Sequence, residues 1–225
     1  MKLIIDDGDL EKISRIWDYY PCDGVTTNPS ILAKSGQNPY RVLADIRAVI
    51  GEKAELHAQV ISSTAEEMYR EGQVMRDRLG GNFYVKVPVT VEGLKAIRHL
   101  AADRVRVTAT AVYTPMQAFL GAKAGAAYAA PYVNRIDNLG ANGTETVKII
   151  HDMFRSNSLA TEVLAASFKN TQQVQELCRY GVGAVTVSAD IIDLLIKNPC
   201  VSDAVSAFTQ AFEGLCGAGK TMADC

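Results

Sequence analysis

The chain has 225 residues and a mass of 24.3 kDa, with 48% hydrophobic and 21% charged residues; this suits one globular domain with a sizeable core and argues against long disorder. A net charge of -2, a pI near 5.9 and the lack of a basic run exclude an electrostatic footprint for nucleic acid or an anionic membrane. No apolar stretch reaches the roughly 20 residues of a bilayer helix, the N-terminus turns acidic at Asp6-Asp7 without a signal-peptide core, and five scattered cysteines without a CxxC spacing exclude a disulfide scaffold or structural zinc site. The expectation is a soluble, cytoplasmic protein with free thiols and no bound metal.

In chain order, strands are predicted at Leu3–Asp6, Gly24–Asn28, Glu55–Val60 and Asn82–Val87. They continue at Val105–Ala111, Tyr128–Val133, Glu162–Ser167 and Ala184–Ala189, all rich in Val, Ile, Ala, Thr or aromatic residues. Helical patterns lie between them. Ala65, Met68, Met75 and Leu79 share one face, Leu94, Ile97 and Leu100 another, and Val147, Ile150, His151 and Phe154 a third. Starts are marked by Ser63-Thr64, by Thr90 and by Thr114-Pro115. A last helix is expected over about 201–214, followed by a short tail.

No linker divides the chain, and the only repeat is strand then helix. That alternation makes parallel sheets by right-handed crossovers. Eight units can close into a (β/α)8 barrel, here a single domain over 1–225. A doubly wound open sheet is the competitor, but it favours fewer strands and a Gly-rich first turn, and Asp6-Asp7-Gly8-Asp9 is not G-x-G-x-x-G.

In a barrel the reacting groups sit at the carboxyl ends of the strands. Those ends supply Asp6, Thr26 and Asn28, Gln59, Lys86, Thr110, Tyr132 with Asn134-Arg135, Ser167 with Lys169, and Ser188. Lys86 is the sharpest of them. Within Phe83-Tyr84-Val85-Lys86-Val87-Pro88, alternation puts Tyr84 and Lys86 on one face and the valines on the other. If that face is the barrel interior, desolvation lowers the amine's pKa and leaves a nucleophile able to form a Schiff base with a carbonyl. The milder alternative is a strand lysine facing solvent or paired with Asp6.

These residues resemble the transaldolase family, specifically its short, fructose-6-phosphate aldolase branch. The matching runs are Leu3-Ile-Ile-Asp6, Gly24-Val-Thr-Thr-Asn-Pro-Ser-Ile31, Ala58-Gln-Val60 and Val85-Lys-Val-Pro-Val-Thr90. Glu92-Gly-Leu94, Thr110-Ala-Val-Tyr113, Ala129-Ala-Pro-Tyr-Val-Asn-Arg-Ile-Asp137 and Val163-Leu-Ala-Ala-Ser-Phe-Lys169 follow in family order. The resemblance implies a (β/α)8 barrel and a lysine Schiff base without metal or other cofactor. It makes Lys86 the nucleophile and Asp6 the adjacent carboxylate that holds substrate hydroxyls and assists proton transfer. Thr26 and Asn28 would orient substrate hydroxyls, Gln59, Thr110 and Tyr132 would hold a water, and Arg135, Ser167 and Lys169 would bind phosphate. It implies a sugar phosphate and dihydroxyacetone as small-molecule partners, with no nucleic acid and no membrane. It also implies a homo-oligomer, a pentamer or a decamer of stacked rings, with the C-terminal helix reaching a neighbour.

The two branches of the family differ in ways the chain can report. Transaldolases carry glutamate and phenylalanine at Gln59 and Tyr132, and asparagine and serine at Thr108 and Ala130. Gln59 with Tyr132 resembles the aldolase branch, which implies reversible cleavage of fructose 6-phosphate to dihydroxyacetone and glyceraldehyde 3-phosphate. Transfer of the dihydroxyacetone unit between sugar phosphates is the alternative, and a sugar-phosphate or nucleotide binder without lyase activity is a third class. Three features depart from the pattern: Asp7-Gly8-Asp9 in the first loop, Thr108, and His57, which reads best as a hydrogen-bonded core histidine. For the remaining groups milder roles are open, Arg135 as an ion pair with Asp137 and Ser167 as a helix cap. The run from Gly214 to Gly219-Lys220-Thr221 matches a P-loop, but a helix precedes it and only four residues follow, so it reads as a chance match.

Overall fold

A computed structural model describes residues 1–225. In chain order the elements are β1 (Lys2–Asp6), α1 (Leu10–Tyr19), β2 (Gly24–Thr26), α2 (Pro29–Lys34), α3 (Pro39–Ile50) and β3 (Glu55–Gln59). They continue with α4 (Ala65–Leu79), β4 (Phe83–Pro88), α5 (Val91–Ala102), β5 (Val107–Val112), α6 (Pro115–Lys123), β6 (Tyr128–Pro131) and α7 (Val133–Asp137). The last are α8 (Gly143–Ser156), β7 (Glu162–Ala165), α9 (Thr171–Tyr180), β8 (Ala184–Val187), α10 (Ala189–Ile196) and α11 (Pro199–Cys216). The eight strands are parallel and close in sequence order, β8 pairing with β1, so the fold is the (β/α)8 barrel and not the open sheet. Contacts gather into two compact units, Met1–Ile192, which contains the whole barrel, and Asp193–Cys225, which carries α11. No helix is long and apolar enough to cross a membrane.

Local chemistry explains where helices begin. Thr64, Thr90 and Thr114 accept backbone N–H bonds at the starts of α4, α5 and α6, and Thr114 with Gln117 completes a reciprocal capping box. Pro29, Pro39, Pro115 and Pro199 stand at first helical positions, where a missing N–H costs nothing. The unusual first loop has a plain purpose. Asp7 accepts the N–H groups of Gly8 and Asp9, and Asp9 caps α1 through the N–H groups of Glu11 and Lys12.

Several strands are shorter than alternation suggests, for physical reasons at their ends. Asn28 leaves β2 because its side chain caps α2 ahead of Pro29. Tyr132 and Val133 leave β6 because α7 begins there, and Ser167 and Ser188 lie beyond β7 and β8. β5 instead extends to Val112 through a bulge after Ala109, with Ala111 at φ 56.

Alternation sorts the strand residues into two cores. Ile5, Val25, Leu56, Ala58, Val85, Val87 and Val107 face the helices in the main core. Ile4, Tyr84, Tyr128, Ala130, Leu164 and Ala184 fill the barrel interior. Two glycines serve close approaches. A Cβ on Gly24 would sit 2.2 Å from the Glu55 carbonyl oxygen, and one on Gly93 would sit 1.9 Å from that of Pro88. Gly93 thereby lets the first turn of α5 rest on the end of β4, the strand that carries Lys86.

Candidate active site

Lys86 projects into the barrel. It is 5% exposed, and its Nζ donates a 2.7 Å hydrogen bond to the Thr27 carbonyl just past β2. The solvent-facing alternative therefore fails. Burial pushes the amine below the ordinary lysine value and the charge of Arg135 adds to this, while Asp6 pulls the other way. The Asp6 carboxyl, at the end of β1, is pushed above its usual range by desolvation, against the attraction of Lys86 and the bond from Thr26. An acid and a base whose pKa values move toward each other are suited to exchanging protons.

The neighbouring strands bring further groups to this pair. Thr26 donates to Asp6 Oδ1 at 2.8 Å and lies 2.6 Å from the Thr186 hydroxyl. Asn28 accepts the Ile31 N–H with its side-chain oxygen, which leaves both hydrogens of its amide NH2 for a substrate. Gln59 pairs in register with Lys86 on one side, and Thr108 pairs with it on the other. Thr110 Oγ1 and Tyr132 Oη are 2.9 Å apart, so the fold joins two of the three groups expected to share a water.

The expected phosphate set spans the next strand ends. Arg135 makes no pair with Asp137. Its guanidinium stacks 4.6 Å from the Tyr132 ring and donates to the Tyr113 hydroxyl at 3.4 Å. Asp137 instead accepts from Gly143 N–H and Gln173 Nε2, bracing α7 against α8 and α9. Ser167 does not cap a helix; Asn170 caps α9. Ser167 adopts φ 65, and its carbonyl accepts the Asn134 N–H at 2.9 Å. A non-glycine residue in that conformation stores about 1–3 kcal/mol of strain. Lys169 is exposed and shares an open cleft of about 780 Å³ with Asp6 and Ser188.

Beneath the reacting layer lies a polar column. Glu55, at the start of β3, accepts from Lys2 at 2.5 Å and from the hydroxyls of Tyr128 at 3.1 Å and Tyr84 at 3.4 Å. His57 stacks on Tyr84 and contacts Glu55 Oε2 at 3.2 Å and Thr108 Oγ1 at 3.0 Å. Burial alone would raise the Glu55 carboxyl, but bonds from His57 and Lys2 outweigh it and hold it at about 2. Burial holds the His57 imidazole down to about 4 in spite of Glu55. His57 is thus the satisfied core histidine, and the ionised Glu55 requires its hydrogen on Nε2, so the Thr108 hydroxyl donates to Nδ1.

Thr27, Thr186 and Tyr113 also touch groups of the site, although none of them stands out in the sequence as a candidate. Thr186 was within reach, because it points inward one alternation step below Ser188. The Thr27 carbonyl had no such signal, since a backbone oxygen carries no residue type. The run Gly214–Thr221 closes α11 and continues into turns, with no strand before it and no helix after it.

Residues 3–224 match the sequence profile described as Transaldolase/Fructose-6-phosphate aldolase. The chain belongs to this family. Two relatives in it are named "Probable transaldolase". That of Thermodesulfovibrio yellowstonii is 35% identical over 96% of this chain and 99% of its own length. That of Alkaliphilus metalliredigens is 34% identical over the same shares. Among solved structures, dihydrodipicolinate synthase from Rhodopseudomonas palustris superposes with a TM-score of 0.59, covering 91% of this chain and 75% of that one. At 15% identity that likeness speaks for the barrel alone. Membership in the transaldolase/fructose-6-phosphate aldolase family makes the chain one of a set of class I aldolase-type enzymes.

Proposed function

We propose that Lys86 forms a Schiff base with the carbonyl of a ketose phosphate and that the resulting dihydroxyacetone unit passes to an aldehyde acceptor. The observation that carries this reading is Lys86 itself, a desolvated amine inside a barrel, facing Asp6 and flanked in register by Gln59 and Thr108. The neutral amine attacks the carbonyl, and loss of water gives the imine. Asp6 holds a substrate hydroxyl and takes up its proton as the carbon–carbon bond breaks, leaving an enamine on Lys86. Thr26 serves mainly by fixing Asp6, because its one hydrogen goes to Oδ1. The Asn28 amide is free to donate to substrate oxygen.

Transfer stands first because both relatives of the same length are named for it. Release of the enamine to water, the aldolase activity, is the second reading, and the joined hydroxyls of Thr110 and Tyr132 favour it. With fructose 6-phosphate as donor, glyceraldehyde 3-phosphate is expected to form faster when erythrose 4-phosphate is added. A rate indifferent to the acceptor sinks transfer in favour of release. Tyr132→Phe, nearly isosteric, is expected to slow any release more than transfer.

Arg135, Ser167 and Lys169 are assigned to the phosphate, two cations and a hydroxyl suiting a phosphomonoester. Lys169→Gln is expected to lower kcat/KM for fructose 6-phosphate by ~10–100-fold, through KM, the loss of one charge-assisted contact. An unphosphorylated ketose should be cleaved as before. Arg135→Gln should harm both substrates, since Arg135 also stacks on Tyr132 and depresses Lys86. Equal losses on both substrates for Lys169→Gln would remove Lys169 from the phosphate site.

A further inference from the structure

Thr186 on β8 is buried, contributes nothing to the outer core, and has one hydrogen-bond contact, the 2.6 Å approach to Thr26 Oγ1. The direction of that bond follows from bookkeeping of hydrogens. An ionised Asp6 only accepts, so the single hydrogen of Thr26 goes to Oδ1 at 2.8 Å, and the hydrogen between the two threonines comes from Thr186. We propose that Thr186 is a positioning residue for Asp6, its hydroxyl donating to Thr26 so that Thr26 holds and strengthens the charge on Asp6 Oδ1. Hydrogen bonds in series polarise one another, by about 10–30% per bond, and do so most where water is excluded. The chain also pins one carboxylate oxygen, Oδ1, to the β2 side. This inference rests on the reading of Asp6 and Lys86 as the reacting pair.

Other charges act on Asp6 as well. Lys86 from β4 and Arg135 from α7 favour its anion, and the adjacent Asp7 disfavours it. Lys12 of α1, with its partner Asp190 at 3.7 Å, and Lys34 of α2 and Lys169 line the cleft outside it. None of these is touched by a change at Thr186, so a shift in Asp6 ionisation on removing that hydroxyl reports the chain alone.

The test is a series: Thr186→Val, Thr186→Ser, Thr26→Val and the double Thr26→Val/Thr186→Val, each in the full chain. The readouts are the carboxyl carbon-13 titration of Asp6, assigned by its loss in Asp6→Asn, and the pH dependence of kcat and of KM. Thr186→Val is expected to raise the Asp6 midpoint by ~0.2–0.6 of a pH unit, and Thr26→Val by ~1–2. Thr186→Ser, which keeps the hydroxyl, should return the parent titration, and the double variant should match Thr26→Val, because Thr186 acts only through Thr26. The acid limb of kcat should follow the midpoint, with KM unchanged. An unmoved midpoint in Thr186→Val, a shift that survives in Thr186→Ser, or additive shifts in the double variant overturns the proposal. If the midpoints behave as expected but kcat does not follow them, the hydroxyl chain stands and the proposed role of Asp6 falls.

Discussion

Lys86→Met is expected to abolish borohydride-dependent labelling by dihydroxyacetone and to reduce turnover of fructose 6-phosphate to background, while leaving a folded protein. The loss follows from the chemistry. Methionine matches the length of the lysine stem and has no amine, so neither imine nor enamine can form. The fold survives because the loss of the donor to the Thr27 carbonyl is offset by relief of a buried amine. The folded state holds the amine below its ordinary pKa of 10.5, so at neutral pH folding pays part of the desolvation of a cation. A depressed pKa of this kind adds stability only above the unfolded value; at pH 7 it is a cost, and the thioether removes it. The measurements are peptide mass mapping after reduction and thermal unfolding of parent and variant. An adduct that persists in Lys86→Met, on Lys169 or elsewhere, rejects Lys86 as the nucleophile, and a folded but equally active variant rejects Schiff-base chemistry altogether.

The second large effect concerns acid. His57 is held to about 4 when folded and returns to about 6.5 when unfolded, so the unfolded chain binds the proton first as pH falls. Its contribution is complete above pH 6.5 and is lost as pH falls through 4. By pH 4 that amounts to about 3 kcal/mol, a large share of the stability of a domain. Glu55 acts in the same sense at lower pH, its contribution being present above 4.5 and lost toward 2. His57→Phe keeps a ring against Tyr84 but strands the Thr108 hydroxyl and removes one partner of Glu55, costing about 1–3 kcal/mol at pH 7. Urea unfolding at pH 7 and pH 4 should therefore show the variant weaker than the parent at pH 7 and no weaker at pH 4. Parallel losses in both proteins between those pH values would show that His57 does not titrate into the unfolding equilibrium.

The architecture was legible because two periodicities are written plainly in the chain. Val85-Lys86-Val87 and Leu56-His57-Ala58 alternate, and the faces they predict are the faces they occupy. Helix starts were legible where Thr64, Thr90 and Thr114 announce them. Strand ends were not, because Asn28 and Tyr132 fit a strand by type and are taken from it by helices that begin at Pro29 and Val133. The same limit applied within the site. Types and alternation bring Lys86, Asp6 and Thr110 to one end of the barrel, but which hydroxyl spends its hydrogen on which oxygen depends on register between strands far apart in sequence. That is why the resemblance implies a substrate contact for Thr26, while its bond to Asp6 Oδ1 comes into view only in the fold. Arg135 shows a related limit. Its nearest acid in sequence is Asp137, yet the helical turn of α7 turns the two apart, and the arginine finds aromatic rings instead.

The aromatic and acidic floor of the barrel has a bearing on products. Tyr84 and Tyr128 meet over Glu55, with Lys2 on the outer side, so side chains fill the amino end of the barrel. A ligand of Lys86 would then come and go past the strand carboxyl ends, where reacting groups sit in such barrels. On the proposed chemistry, the aldehyde split off first would have to clear that end before a second aldehyde, or a bulk water, could meet the enamine. The two proposed fates of one intermediate would then become a contest for one passage, settled by how long it stays empty and by how much acceptor is waiting outside it.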